Sequence, residues 1–335
     1  MHYRCLLPLA GLWLAMSACA QSLSAARLGV VYNLNDDSSR EVARYYAQRR
    51  SVPSENVIGV QLPDTDLMTP QSFAPVRAQL LSELPGSVQS LLLVWSKPWA
   101  VGCMSITTAV AAGYRPEFCV PGCSRTPPNP LFNSEGWLPA DTVGWWPAML
   151  LPTKDPALAH ALIERGIAAD ARNPRGTLYL VRTDDASRNV RARTYADIEA
   201  TLSQGLKVEE LMTPVTRVVP DVIGYFTGAL RVTELPLIQF RPGAVADHLT
   251  SAGGVLKGGG QMSALAWIEQ GATASYGSVS EPCNLLGKFP NVRVLFEHYV
   301  HGETVLEAYW KSVEMPGQGL FIGEPLARPF ARPRP

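Results

Sequence analysis

The chain has no excess of either charge: Lys and Arg number 29, and Asp and Glu number 29. Without a basic field, nothing steers it to nucleic acid or to an anionic lipid surface. Charged residues make up 17%, while apolar residues make up 47%, ample for a large core. Beyond the N-terminus no apolar run approaches the roughly 20 residues that a membrane-spanning helix needs. The mature chain is therefore expected to carry no transmembrane segment. Nucleotide fingerprints are missing too. Gly253-Gly254 and Gly258-Gly259-Gly260 fit neither the P-loop nor the dinucleotide spacing. There is no H-E-x-x-H and no G-x-S-x-G elbow. No metal or other cofactor is expected from these patterns.

The N-terminus carries the clearest signal. Arg4 precedes an apolar stretch from Cys5 to Met16, and small residues follow, Ser17-Ala18-Cys19-Ala20. A basic start, a short apolar run and an A-x-A ending describe a secretory signal peptide over residues 1–20. Leu14-Ala15-Met16-Ser17-Ala18-Cys19 also fits a lipoprotein signal, in which Cys19 becomes a lipid anchor. The expectation is export to the periplasm or beyond, free or membrane-anchored. Loss of Arg4 lowers the basic count from 29 to 28, so the mature chain stays near neutral.

Export changes how cysteine is read. Four cysteines remain, Cys103, Cys119, Cys123 and Cys283. In an oxidising compartment an even number predicts two disulfides, with three pairings open. Cys119 and Cys123 bracket a Pro-Gly turn and so lie near each other. A four-cysteine zinc site lacks the paired C-x2-C spacing.

Hydrophobic patterning alternates strand and helix. Strands are expected at 27–33, 57–62, 88–95 and 176–182. Further strands are expected at 214–219, 221–226, 236–240, 272–276 and 319–322. Helices are expected after Asp36 to Arg50, and at 70–84, 156–170, 188–203, 244–250, 261–270, 291–300 and 303–313. Residues 96–150 interrupt the rhythm with eight prolines, three cysteines and Trp99, Trp137, Trp145 and Trp146. They read as a stapled insertion with a short helix at 103–112. The fold class is α/β: a three-layer, mostly parallel sheet, caspase-like or Rossmann-like, in one domain over 21–324. Pro325–Pro335 reads as an extended Pro/Arg-rich tail.

Open parallel sheets bind ligands beyond the carboxyl ends of their strands. The candidate binding residues are therefore Asn33, Asp36, Lys97, Asp184, Asp185 and Glu281. His248 could serve as a base for a Cys283 thiol, since a thiol needs a neighbouring base to act as a nucleophile. Ser251 is a second nucleophile candidate. Arg182, Asp184, Asp185, Arg188, Arg191 and Arg193 could hold an anion or form an internal ion network. His298 and His301 lie three apart without a metal-site pattern around them.

Tyr45-Tyr46 with Arg49-Arg50 and Pro53, the run Ser278-Val279-Ser280-Glu281-Pro282-Cys283, and Gly323-Glu324-Pro325-Leu326 resemble a family of exported bacterial proteins with no established activity. More distantly, the layout is similar to gingipain-like cysteine peptidases of the caspase-like fold. That resemblance implies a histidine in a G-H-G turn after one strand and a cysteine after the next. The matching turn here is Phe226-Thr227-Gly228, which has no histidine, and the cysteine turn falls near Ser251. Two functions follow. One is a non-catalytic envelope or extracellular binding protein on a degenerate hydrolase-like fold. The other is a cysteine-dependent hydrolase using His248 and Cys283.

Overall fold

The computed structural model describes residues 22–119 and 123–332. Residues 1–20, read above as a signal peptide, and with them Cys19, lie outside the described residues. The first third holds β1 (Leu28–Asn33), α1 (Asp37–Arg50), β2 (Val57–Val60), β3 (Leu67–Met68), α2 (Pro70–Glu83) and β4 (Ser90–Val94). Next come β5 (Ala100–Val101), β6 (Met104–Ser105), α3 (Ile106–Ala112), α4 (Pro139–Val143), β7 (Ala148–Leu151), α5 (Pro156–Ala169) and β8 (Thr177–Arg182). Then follow α6 (Tyr195–Leu202), β9 (Lys207–Met212), β10 (Val219–Thr227), β11 (Ile238–His248) and α7 (Leu265–Gln270). The chain finishes with β12 (Ala274–Ser278), α8 (Val292–Val300), α9 (Val305–Ser312) and β13 (Gly319–Gly323).

Ten strands form one sheet in the order β2-β1-β4-β7-β13-β12-β11-β10-β8-β9. It is mostly parallel, and β13 runs antiparallel to β12. Its inner strands are buried on both faces, as a sheet covered by helices on each side requires. α1, α5 and α7 cover one face; α2, α3, α9, α8 and α6 cover the other. Helix starts are set by side chains that accept free N–H groups. Asp36 caps α1, Thr69 caps α2, Asp155 caps α5, and Thr304 with Glu307 forms a capping box on α9.

Four segments differ from the sequence expectation. Residues 214–218 form no strand, and of the run expected at 214–219 only Val219 enters β10; Pro214 has no N–H to give to a ladder. Residues 244–248 extend β11 rather than form a helix, because Gly224–Thr227 of β10 pair with Val245–His248 one for one. A strand buried on both faces shows no alternation that would set it apart from a buried helix. β7 lies inside the stretch read as insertion, a short apolar run between Pro147 and Pro152. β9 is a charged edge strand whose Lys207, Glu209 and Glu210 conceal its strand character. The proline-rich end is also no loose tail over its described part. Leu326 and Ala327 are buried, and Phe330 meets Tyr299 edge-on.

The insertion is fixed by two disulfides. Cys103 is bonded to Cys119, with Cα atoms 5.7 Å apart. Cys123 is bonded to Cys283 across 160 residues, which ties the insertion to the exit of β12. Trp99, Trp137 and Trp145 are buried, and Trp145 packs edge-on against Phe118 and Trp310.

The motifs carried by Tyr46, Arg50 and Glu324 meet at the C-terminal ends of α1 and α5. Glu324 is fully buried and accepts from Tyr46 Oη at 2.7 Å, Arg50 Nε at 3.1 Å and Arg50 Nη2 at 2.5 Å. Arg50 Nη1 reaches Asp170, whose other oxygen takes the Arg328 N–H at 2.9 Å. Burial opposes the Arg50 charge, and Glu324, Tyr46 and Asp170 together outweigh it, so the guanidinium pKa is raised. Residue 166 must be glycine here, since a Cβ would stand 2.3 Å from a Glu324 oxygen.

Candidate functional site

The exits of β1, β4 and β7 open into a cleft of about 610 Å³. Short polar side chains lace these exits together. Asn33 Oδ1 accepts from the N–H groups of Asn35 at 3.0 Å and Leu62 at 3.1 Å. Ser39 Oγ accepts the Asn33 N–H and donates to the Val94 carbonyl. Ser96 Oγ accepts from Thr153 N at 2.9 Å and Lys154 N at 2.8 Å. Asp36 uses Oδ1 to cap α1 and receives the Thr153 hydroxyl on Oδ2 at 3.4 Å.

Two ion pairs line the rim. Lys97 meets Asp64 at 2.8 Å, and the hydrogen bond to Asp64 raises the ammonium pKa. Lys257, from the loop after β11, meets Asp66 at 2.9 Å and so links the two halves of the sheet across the opening. Pro152, Leu256 and Leu265 add apolar surface. Trp99 is 4% exposed, and its indole N–H has no partner among the described residues. The lining holds four aspartates and three lysines, with no histidine and no cysteine. No hydroxyl in it is hydrogen-bonded to a lysine or histidine nitrogen. The groups it presents are polar and charged, and the Thr153 hydroxyl faces the Asp36 carboxylate.

The sequence-derived candidates divide into two groups. Asn33, Asp36 and Lys97 come together in this cleft. Thr153 and Lys154 join them, unforeseen because β7 was hidden between prolines. Asp64 and Asp66 follow β2, and the strand-exit rule applied there would have found them. Asp184, Asp185 and Glu281 lie elsewhere. Asp184 is exposed, Asp185 pairs with Arg188 at 2.8 Å, and Glu281 accepts the Cys283 N–H at 2.7 Å. The arginine-rich segment is shared among separate acids: Arg182 with Glu210, Arg188 with Asp185, Arg191 with Asp247.

The candidate catalytic residues are engaged otherwise. His248 is 1% exposed. Its Nδ1 accepts from Trp267 Nε1 at 2.9 Å, so Nε2 carries the proton and donates to the Met262 carbonyl at 3.0 Å. Burial pushes its pKa down to about 4, and Arg191 and Arg188 add to that. Both ring nitrogens are occupied, and the Cys283 sulfur is in a disulfide, so it carries no thiol for a base to activate. Ser251 lines a separate pocket of about 150 Å³ with Arg188, Thr250, Cys283 and Asn284, and no histidine lines it. At the turn after β10, Thr227 is buried, and a Cβ on Gly228 would stand 1.9 Å from the Arg188 carbonyl oxygen.

His298 and His301 do not converge on a common point. His298 lies between Glu303 and Asn133, and His301 contacts the Glu297 carbonyl. Among the described residues no group of three or more His, Cys, Asp or Glu side chains is placed to hold a metal ion. No helix among them is long and apolar enough to cross a membrane.

No family model matches the chain. No curated protein matches it either. A solved structure described as a protease superimposes with a TM-score of 0.50 at 10% identity. The match covers 92% of this chain and 80% of that one. At that identity the likeness bears on the fold, a large mostly parallel sheet of caspase-like or Rossmann-like kind.

Proposed function

We propose that this is an exported, non-catalytic binding protein on a degenerate hydrolase-like fold, and that it takes a small polar ligand in the cleft at the exits of β1, β4 and β7. The observation that carries the reading is the contrast between sites. The cleft gathers Asn33, Asp36, Lys97 and Thr153 around open volume, whereas His248 and Cys283 are each committed to structural bonds. Polar groups held in place by their neighbours around a concavity are the usual makings of a ligand site.

The test is a binding screen read at the protein. Amino acids, short peptides and sugars would be titrated while the Trp99 indole N–H resonance is followed by NMR. A ligand of the cleft should shift that resonance, and Asp36→Ala with Thr153→Val should abolish the shift. Turnover of a peptide or ester library that is lost in His248→Ala and Cys283→Ser would refute the non-catalytic reading. For export, mass spectrometry of protein recovered outside the cytoplasm should find a chain beginning at Gln21, or one lipidated at Cys19.

A further inference from the structure

The two disulfides sit in unlike surroundings. Cys103–Cys119 closes a loop of 16 residues, and both cysteines are half-buried. Cys123 of the second bridge is exposed. Its partner Cys283 lines the 150 Å³ pocket together with Arg188, Ser251 and Asn284. Thiol–disulfide exchange is governed by access to the attacked sulfur and by the stability of the departing thiolate. Here one cysteine is exposed, and the other lines a pocket that Arg188 also lines.

We propose that Cys123–Cys283 is a thiol-exchange site, at which an external dithiol attacks Cys123 and expels Cys283 as a thiolate into the Arg188 pocket. The first step breaks the Cys123–Cys283 S–S bond and forms a mixed disulfide on Cys123. The second thiol of the reductant then displaces Cys123. Two electrons pass from the dithiol, which leaves as its own disulfide, and its two protons are left to the Cys123 and Cys283 sulfurs or to solvent. Exchange would release the insertion from its covalent tie to β12. The Ser280 hydroxyl would still hold the Cys103 carbonyl at 2.7 Å.

The charges around Cys283 act in opposite senses. Arg188 favours a thiolate, and Asp185, paired with it, weakens that effect. Glu281, whose carboxylate holds the Cys283 N–H, disfavours a thiolate. Lys288 is buried nearby, its ammonium interacting with Glu281. On the insertion, Arg125 is engaged with Glu314.

The experiment is graded reduction of the full-length protein with dithiothreitol, with iodoacetamide trapping and peptide mapping. Cys123 and Cys283 should be labelled about tenfold faster than Cys103 and Cys119, as access and leaving-group stability together dictate. In the partly reduced protein, Arg188→Ala should move the pH midpoint of Cys283 alkylation up by about one unit, and Arg188→Lys should restore it. Glu281→Gln should move it down. Opening of Cys103–Cys119 first, or of both bridges at one rate, would overturn the proposal. So would a pH midpoint indifferent to Arg188→Ala. The order of reduction in the unaltered protein decides even if a variant does not fold, and it is independent of whether the larger cleft binds a ligand.

Discussion

Two arginine–carboxylate pairs are buried in this sheet, and they are built differently. Arg50 and Glu324, at the C-terminal ends of α1 and α5, have every nitrogen and oxygen answered by Tyr46, Asp170, Leu326 or each other. Arg191 and Asp247, beneath the exits of β10 and β11, meet at 2.5 Å with side chains 4% and 1% exposed. Yet Arg191 Nε and Nη2 and Asp247 Oδ2 find no partner among the described residues. Burial accordingly raises the Asp247 pKa despite the neighbouring guanidinium. A buried ion pair stabilises only when its remaining donors and acceptors are also satisfied. The first pair is thus a clasp that closes the fold, and the second is a polar flaw inside it.

The difference can be tested by deletion. Glu324→Ala should destabilise the protein by about 3–5 kcal/mol, the usual effect of stranding a buried charge. Replacing Arg50 and Glu324 together by Met and Leu should still leave a loss of about 2 kcal/mol or more, because Tyr46, Asp170 and the Leu326 N–H lose partners. Asp247→Ala should also cost about 3 kcal/mol, but Arg191→Met with Asp247→Leu should return to within about 1 kcal/mol of the parent. Urea unfolding of the four variants measures all of this. Equal losses in the two double variants would erase the distinction.

A third comparison uses pH. His248 is held neutral with a pKa of about 4, below the unfolded value of 6.5. Between those values the unfolded chain binds more protons, so stability rises with pH and is lost on acidification. The loss from pH 6.5 to 4 should be about 3 kcal/mol. Asp247, with its raised pKa, acts in the opposite sense, so the His248 share is read as the difference between parent and His248→Gln. An unchanged slope in that variant would rule out the assignment. The smallest effect belongs to the surface: Arg49 meets Glu164 at 2.5 Å where both are open to solvent, and Arg49→Ala should leave the urea midpoint nearly unchanged.

Much of the architecture could be read from periodicity. The expected strands at 27–33, 88–95 and 176–182 became β1, β4 and β8 almost to the residue, because long apolar runs between turn residues leave few alternatives. What escaped were β7, compressed between prolines, the C-terminal half of β11, and the charged edge strand β9. The cleft was half legible for the same reason. Asn33, Asp36 and Lys97 follow strands that could be seen, while Thr153 follows one that could not. The quoted motifs pointed to architecture. Tyr46, Arg50 and Glu324 belong to the clasp, and the segment ending at Cys283 anchors the insertion.

The position of β13 has a consequence for how the sheet is completed. Gly319–Gly323 fills the gap between β7 and β12, with Ile322 beside Leu150 on one side and Ser275 on the other. In a chain that emerges N-terminus first, every other strand is made before that gap can close. Until then β7 and β12 lack the neighbour that separates them in the finished sheet, and such unpaired edges invite pairing with other strands. The strand that joins them is β13, so the sheet becomes continuous only once Gly319–Gly323 has been made.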